Sequence, residues 1–285
     1  MSVLLQVSDP HFGTQVDEVV EALVAFAKDK RPDVLMLSGD ITQRARREQF
    51  LAARAFCDRL GIGVELAVPG NHDIALFDVF TRVVAPYRHY RESFGNDLEP
   101  VLDTPDLLVI GVNCTRPWRH KHGEISKAQI RRISDRLARA GTGQLRVVVT
   151  HQPVDVPTGS DENNLVRGHA DAVHAWVEAG ADILMGGHIH LPFIRPLAQR
   201  YPELRRAAWC VQGGTAVSHR VRADRPNSVN LVTHVANSGQ AVVERWDFAG
   251  EGGFECGERV ELVLDRSTNH GSDRTRQGAY RESHS

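Results

Sequence analysis

Five short segments carry residue types suited to hydrolytic chemistry: Asp9-Pro10-His11, Gly39-Asp40, Gly70-Asn71-His72-Asp73, Thr150-His151 and Gly187-His188-Ile189-His190. They supply Asp9 and Asp40, Asn71, and the imidazoles His11, His72, His151, His188 and His190, without a thiolate. Mixed oxygen and imidazole donors suit Mn, Fe, Zn or Co, whereas an all-oxygen set suits Ca or Mg. Two such cations about 3.5–4 Å apart can clamp the attacking and leaving oxygens of an in-line displacement at phosphorus. Holding them that close requires an anion between them, and a bridging carboxylate serves. Metal binding also lowers the pKa of a water toward neutrality, so hydroxide forms without a dedicated protein base. A neutral Asn carbonyl among the donors leaves enough positive charge to attract a phosphate.

Each segment follows a strand-like run that could aim it. Val3–Val7, Val34–Leu37, Val64–Val68, Leu145–Thr150 and Ile183–Met185 are short continuous apolar stretches, and Leu107–Val112 is a further one. Val19, Val20, Leu23, Phe26 and Ala27 recur at helical spacing, as do Phe50, Ala53, Cys57 and Leu60. Further helices are expected at Ser126–Ala140 and Ala170–Ala179. Buried strands alternating with amphipathic helices imply a sheet covered by helices, with side chains at the strand carboxyl ends converging on one crevice. The last third reads as successive strands at Ala207–Gln212, Val229–Val235, Gln240–Trp246 and Arg259–Leu264. The expected fold is α/β: a four-layer αββα sandwich, two facing mixed sheets flanked by helices, with the metal site at strand carboxyl ends. No linker divides residues 1–265, which read as one catalytic domain. Residues 266–285 have almost no apolar content and read as a flexible tail.

The chain has 285 residues and a net charge of −2, so no global basic field recruits nucleic acid or anionic lipid. Lysine occurs only at 28, 30, 121 and 127, never after a glycine, which excludes a Walker-type phosphate loop. Cys57, Cys114, Cys210 and Cys256 are scattered and read as buried free thiols. No apolar run is long enough for a membrane span, and the first residues carry no secretory pattern, so cytoplasm is the expected compartment.

The ordered set Asp9-x-His11, Gly39-Asp40-Ile41-Thr42-Gln43, Gly70 to Asp73, His151 and Gly187 to His190 resembles the calcineurin-like metallophosphoesterase family. The motifs span residues 9–190. Beyond them, Gly213-Gly214-Thr215, Arg220, Pro226-Asn227-Ser228 and Asn230 resemble the region that follows in bacterial members. The resemblance implies two divalent or trivalent transition-metal ions. Asp9, His11 and His190 would hold the first, Asp40 would bridge, and Asn71, His151 and His188 would complete the second site. His72 would face the substrate as phosphate contact or leaving-group acid, and Asp73 would orient an imidazole. The Ser8–His11 opening, the Gly39–Gln43 segment, His122-Gly123-Glu124-Ile125-Ser126 and the length most resemble class III cyclic-nucleotide phosphodiesterases. Glycerophosphodiesterases of the same branch are nearly as close. The implied activity is hydrolysis of small phosphodiesters, with a 3′,5′-cyclic nucleotide such as cAMP placed first. Glycerophosphodiesterase, nuclease and phosphomonoesterase are the alternatives, and a non-catalytic interaction module comes last because no ligand is lost. The implied partner is a small-molecule phosphodiester, with no membrane; charge and length argue against nucleic acid, and a homodimer stays open.

The remaining histidines read as structural or solvated, as does the basic loop Arg116-Pro117-Trp118-Arg119-His120-Lys121-His122. Asp161-Glu162-Asn163-Asn164 reads as a polar loop. Arg220 and Asn227 are candidates for the pocket rim.

Overall fold

Val34–Ser38 (β2) is buried at every residue, as a strand covered on both faces must be. Its side chains alternate: Val34 and Met36 join one apolar cluster, Leu35 and Leu37 another. In this computed structural model, residues 1–75, 79–119, 121–222 and 225–266 are described. His120 and the tail beyond Arg266 lie outside the described residues.

The first sheet runs β12-β11-β10-β1-β2-β3. Ser2–Val7 (β1), β2 and Val64–Val68 (β3) are parallel, and Ser228–His234 (β10) joins β1 antiparallel. Gln240–Phe248 (β11) and Phe254–Val263 (β12) extend it as an antiparallel meander. The second sheet runs β4-β5-β6-β7-β9-β8. Leu107–Gly111 (β5), Leu145–Val149 (β6), Ile183–Gly186 (β7) and Trp209–Gln212 (β9) are parallel. Val101–Asp103 (β4) and Phe193–Pro196 (β8) close its edges antiparallel.

Both sheets are mixed, and their inner faces meet. Leu4, Met36 and Leu66 of the first pack in one cluster with Val109, Val147 and Met185 of the second. On the outer face of the first sheet, Leu5 and Leu37 pack with Leu23 of Asp17–Lys30 (α1) and Phe50 of Arg47–Leu60 (α2). On the other side, Leu108 and Leu184 pack with Ile133 of Lys127–Leu137 (α5) and Trp176 of His169–Glu178 (α6). The four-layer expectation is met. Trp176 is fully buried, so truncating it to Ala would cost about 3–5 kcal/mol. Helix α5 starts where Ser126 accepts from the backbone N–H of Gln129, whose side chain accepts from Ser126 N in return, a reciprocal cap.

Several elements depart from expectation. Val79–Val84 (α3), Arg88–Phe94 (α4), β4 and β8 are too short to carry a period. Strand β12 begins at Phe254 rather than Arg259, because Glu255, Cys256 and Glu258 also pair with β11, polar residues being tolerated on an open sheet edge. Cys256 is therefore exposed, correcting the expectation of four buried thiols; Cys57, Cys114 and Cys210 are buried. Among the described residues, no helix is long and apolar enough to cross a membrane.

Candidate metal centre

All five chemistry-bearing segments lie just past strand ends. Asp9 and His11 follow β1, Asp40 follows β2, Asn71 follows β3, His151 follows β6, and His188 and His190 follow β7. The chain turns sharply at these points: Asp9, His11, Asp40, His188 and His190 all have φ between 44° and 72°. Five of the eight non-glycine residues described with positive φ are thus candidate ligands. Such backbone costs about 1–3 kcal/mol per residue and persists only where surroundings over-determine it. Two motif glycines permit the approach of neighbouring loops. A Cβ on Gly39, itself at φ 88°, would collide with the His151 ring, and one on Gly70 with Asp40.

The side chains form two groups that share one carboxylate. Asp9, His11, Asp40 and His190 each present a ligand atom within 4.8 Å of one another, and so do Asp40, His151 and His188. His11 Nε2 lies 3.1 Å from His190 Nε2. Asp40 Oδ1 lies 3.2 Å from His151 Nε2, and Asp40 Oδ2 lies 3.8 Å from His11 Nε2. Asn71 lines the same cavity as Asp40 and His188.

Backbone carbonyls orient the imidazoles. His151 Nδ1 is 3.0 Å from Ser38 O, and His190 Nδ1 is 2.5 Å from Arg220 O. A carbonyl can only accept, so each Nδ1 carries the proton and each Nε2 is left as a donor for a cation. Asp9 is held by Ser8 Oγ at 2.5 Å and by the His188 backbone N–H at 2.9 Å.

Charge follows geometry. Burial pushes His11 and His188 down to about 3, keeping both as neutral lone-pair donors. Burial opposes the charge on Asp9, yet His190 and His151 hold its carboxyl at about 2. Asp40 is likewise held well below the usual carboxylate range against burial, chiefly by His151 and His72. Burial alone would lower His151, but Asp40 raises it to about 10. The donor set fits a metal. Asn71 Oδ1 and both ring nitrogens of His188 are buried without a hydrogen-bond partner among the described residues. Buried polar atoms are rarely left so, and a cation beside Asp40, His151 and His188 would satisfy Asn71 Oδ1 and one ring nitrogen of His188.

Asp73 departs from expectation. Among the described residues its carboxylate orients no imidazole; it accepts from the backbone N–H groups of Ile41, Thr42 and Gly70 at 2.8–3.0 Å. It ties the loop after β2 to the loop after β3, fixing Asp40 beside Asn71. Burial and the neighbouring Asp40 raise its carboxyl to about 6.

Over the two groups opens a cavity of about 830 Å³, whose lining includes His72, Gln43, Arg220, Lys121, Asp161 and Arg222. His72 Nδ1 is 2.8 Å from Gln43 O, and its backbone N–H donates to Asp40 Oδ1 at 2.8 Å. Residues 2–192 match the calcineurin-like phosphoesterase family. The chain belongs to that family.

The family depends on a two-metal centre, and the two Asp40-sharing groups could hold two such ions. This calcineurin-like phosphoesterase is 26% identical over 182 residues to a probable cyclic nucleotide phosphodiesterase of Rhodococcus erythropolis, covering 62% of the chain and 57% of that protein. Its fold is similar to a purple acid phosphatase from yellow lupin seeds (TM-score 0.72, 12% identity, 93% of this chain and 54% of that one). It is also similar to a dimetal phosphatase from Danio rerio (TM-score 0.65, 13% identity, 93% of this chain and 99% of that one). The chain thus spans little more than half the length of the Rhodococcus protein and of the lupin phosphatase.

The cavity also contains residues that sequence reasoning left aside. Asp161 is buried and accepts from both terminal nitrogens of Arg222, and Arg222 also donates to Ile189 O at 3.2 Å, bracing the loop between His188 and His190. Lys121 comes from the loop read as solvated, whose Trp118 is indeed 75% exposed. Arg220 reaches the cavity, whereas Asn227 is buried outside its lining and donates to Thr215 O and Ser218 O. No sequence period marks these residues.

Proposed function

We propose that this chain hydrolyses small phosphodiesters, with cyclic nucleotides as the first substrate class. The observation that carries this reading is the pair of ligand groups sharing Asp40 on one wall of a cavity that also contains His72. Asp9, His11, Asp40 and His190 would hold one transition-metal ion, and Asp40, Asn71, His151 and His188 the other. Two cations placed there supply charge neutralisation at phosphorus and lower the pKa of water.

The protein's own residues do the rest. Ser38 O and Arg220 O hold His151 and His190 with Nε2 turned inward. Asp73 keeps the Asp40 and Asn71 loops in register. Gln43 O fixes His72 Nδ1, leaving His72 Nε2 to address the phosphoryl group or the departing oxygen. In the net reaction a water oxygen bonds to phosphorus, one ester P–O bond breaks, and the leaving oxygen takes a proton. The name of the Rhodococcus relative supports a cyclic nucleotide, and a cavity of about 830 Å³ has room for one. The net charge of −2 gives no attraction to a nucleic-acid backbone.

The test is a kinetic panel on one metal-loaded sample: 3′,5′-cyclic and 2′,3′-cyclic nucleotides, a glycerol diester, a monoester and single-stranded DNA. The highest kcat/KM on a cyclic nucleotide is expected. A preference for the monoester or for DNA contradicts the reading.

A further inference from the structure

Arg220 lies in the segment between β9 and β10, and its two ends perform different tasks. Its carbonyl accepts from His190 Nδ1 at 2.5 Å and from Thr215 Oγ1 at 2.8 Å. Its guanidinium hangs over the metal groups. Nη1 is 3.0 Å from Gln43 Oε1 and 3.4 Å from both His72 Nε2 and His11 Nδ1.

Only the contact to Gln43 has the length of a full hydrogen bond; at 3.4 Å the two imidazole contacts are weak. A guanidinium has five N–H donors, and among the described residues Nε and Nη2 of Arg220 donate to nothing. Arg222, two residues on, has its fork closed by the Asp161 carboxylate. Arg220 is therefore a cation beside the candidate ligands with donors to spare. Its fork matches the oxygens of a phosphoryl group, which such a group binds through paired hydrogen bonds.

We infer that Arg220 is a phosphoryl-binding residue, its guanidinium donating to a non-bridging oxygen of the substrate beside His72. The inference rests on the phosphoester reading above. It also bears on specificity. A monoester carries more negative charge on its free phosphoryl oxygens than a diester, so the arginine stabilises a monoester more.

The backbone carbonyl that orients His190 survives any side-chain substitution, so the two tasks separate experimentally. Wild type, Arg220→Gln and Arg220→Lys are loaded with Mn and compared in three ways. Metal per chain is measured by elemental analysis, and inorganic phosphate affinity by calorimetry. Turnover is measured on nitrophenyl phosphate and bis-nitrophenyl phosphate. Both variants should keep two metals. Arg220→Gln should weaken phosphate binding at least tenfold and lower kcat/KM by about 10²-fold, more for the monoester. Arg220→Lys should recover part of both losses, since it restores charge without the fork.

Unchanged phosphate affinity in Arg220→Gln overturns the inference. Loss of a metal from that variant also overturns it, because the residue would then act through His190. If wild type binds phosphate yet cleaves neither ester, the phosphodiesterase reading fails, and Arg220 stands or falls on phosphate affinity alone.

Discussion

Asp40 and His151 approach to 3.2 Å between Oδ1 and Nε2, both buried, while the other oxygen of the same carboxylate faces His11. One side chain thus belongs to both ligand groups. Asp40→Ala should lose metal from both groups and leave less than about 10⁻³ of the activity, the equivalent of several kcal/mol of charge stabilisation. A variant with one metal retained and a tenth of the turnover would show that Asp40 does not bridge.

Metal uptake should be pH-dependent through His151. Asp40 raises that imidazole to about 10, so the ion-free protein holds a proton there at neutral pH. A cation needs the same Nε2 lone pair, so uptake releases the proton and affinity rises with pH. The expected slope is up to about tenfold per pH unit below 10, a unit of pKa being a factor of ten. Calorimetry in buffers of different ionisation enthalpy should find a proton released at pH 7; none released contradicts the assignment.

His72→Ala should keep both metals and lose about 10²–10⁴ in rate. His72 Nδ1 is occupied by Gln43 O, so only Nε2 is open to the substrate. A larger loss with an alkoxide leaving group than with nitrophenolate identifies His72 as the acid. Equal losses leave it as a phosphate contact, and loss of a metal makes it a ligand.

The site is legible in the sequence where a short motif closes an apolar run. Asp9, Asp40, Asn71, His151 and His188 each follow a parallel strand, so their convergence follows from the sheet topology. Asp73 shows the limit of motif reading: it adjoins an imidazole in sequence, but its carboxylate reaches the backbone of the neighbouring loop. Arg220, Asp161 and Lys121 come from segments without period or strand, brought together only by the folded chain. Strand β12 hid its first half because an edge strand can carry polar residues where a central one cannot.

The ion pair of Arg266 is testable by truncation. Arg266 Nη1 lies 3.0 Å from Asp182 Oδ2, and Asp182 is fully buried with its carboxyl raised by burial. Removing residues 267–285 should leave thermal stability and turnover unchanged. Removing Arg266 as well should cost about 1–3 kcal/mol, because a buried carboxylate loses its cation. Equal melting temperatures for the two truncations would show that the Arg266 contact contributes nothing.

The central claim is that two metal ions share Asp40 and that both are needed for hydrolysis. Its most direct test is a titration of metal-free protein with Mn, following bound metal by elemental analysis and turnover of a cyclic nucleotide on the same samples. Activity should stay near zero through the first equivalent, rise with the second and saturate at two per chain. Full activity with one metal per chain, or with none, contradicts the account.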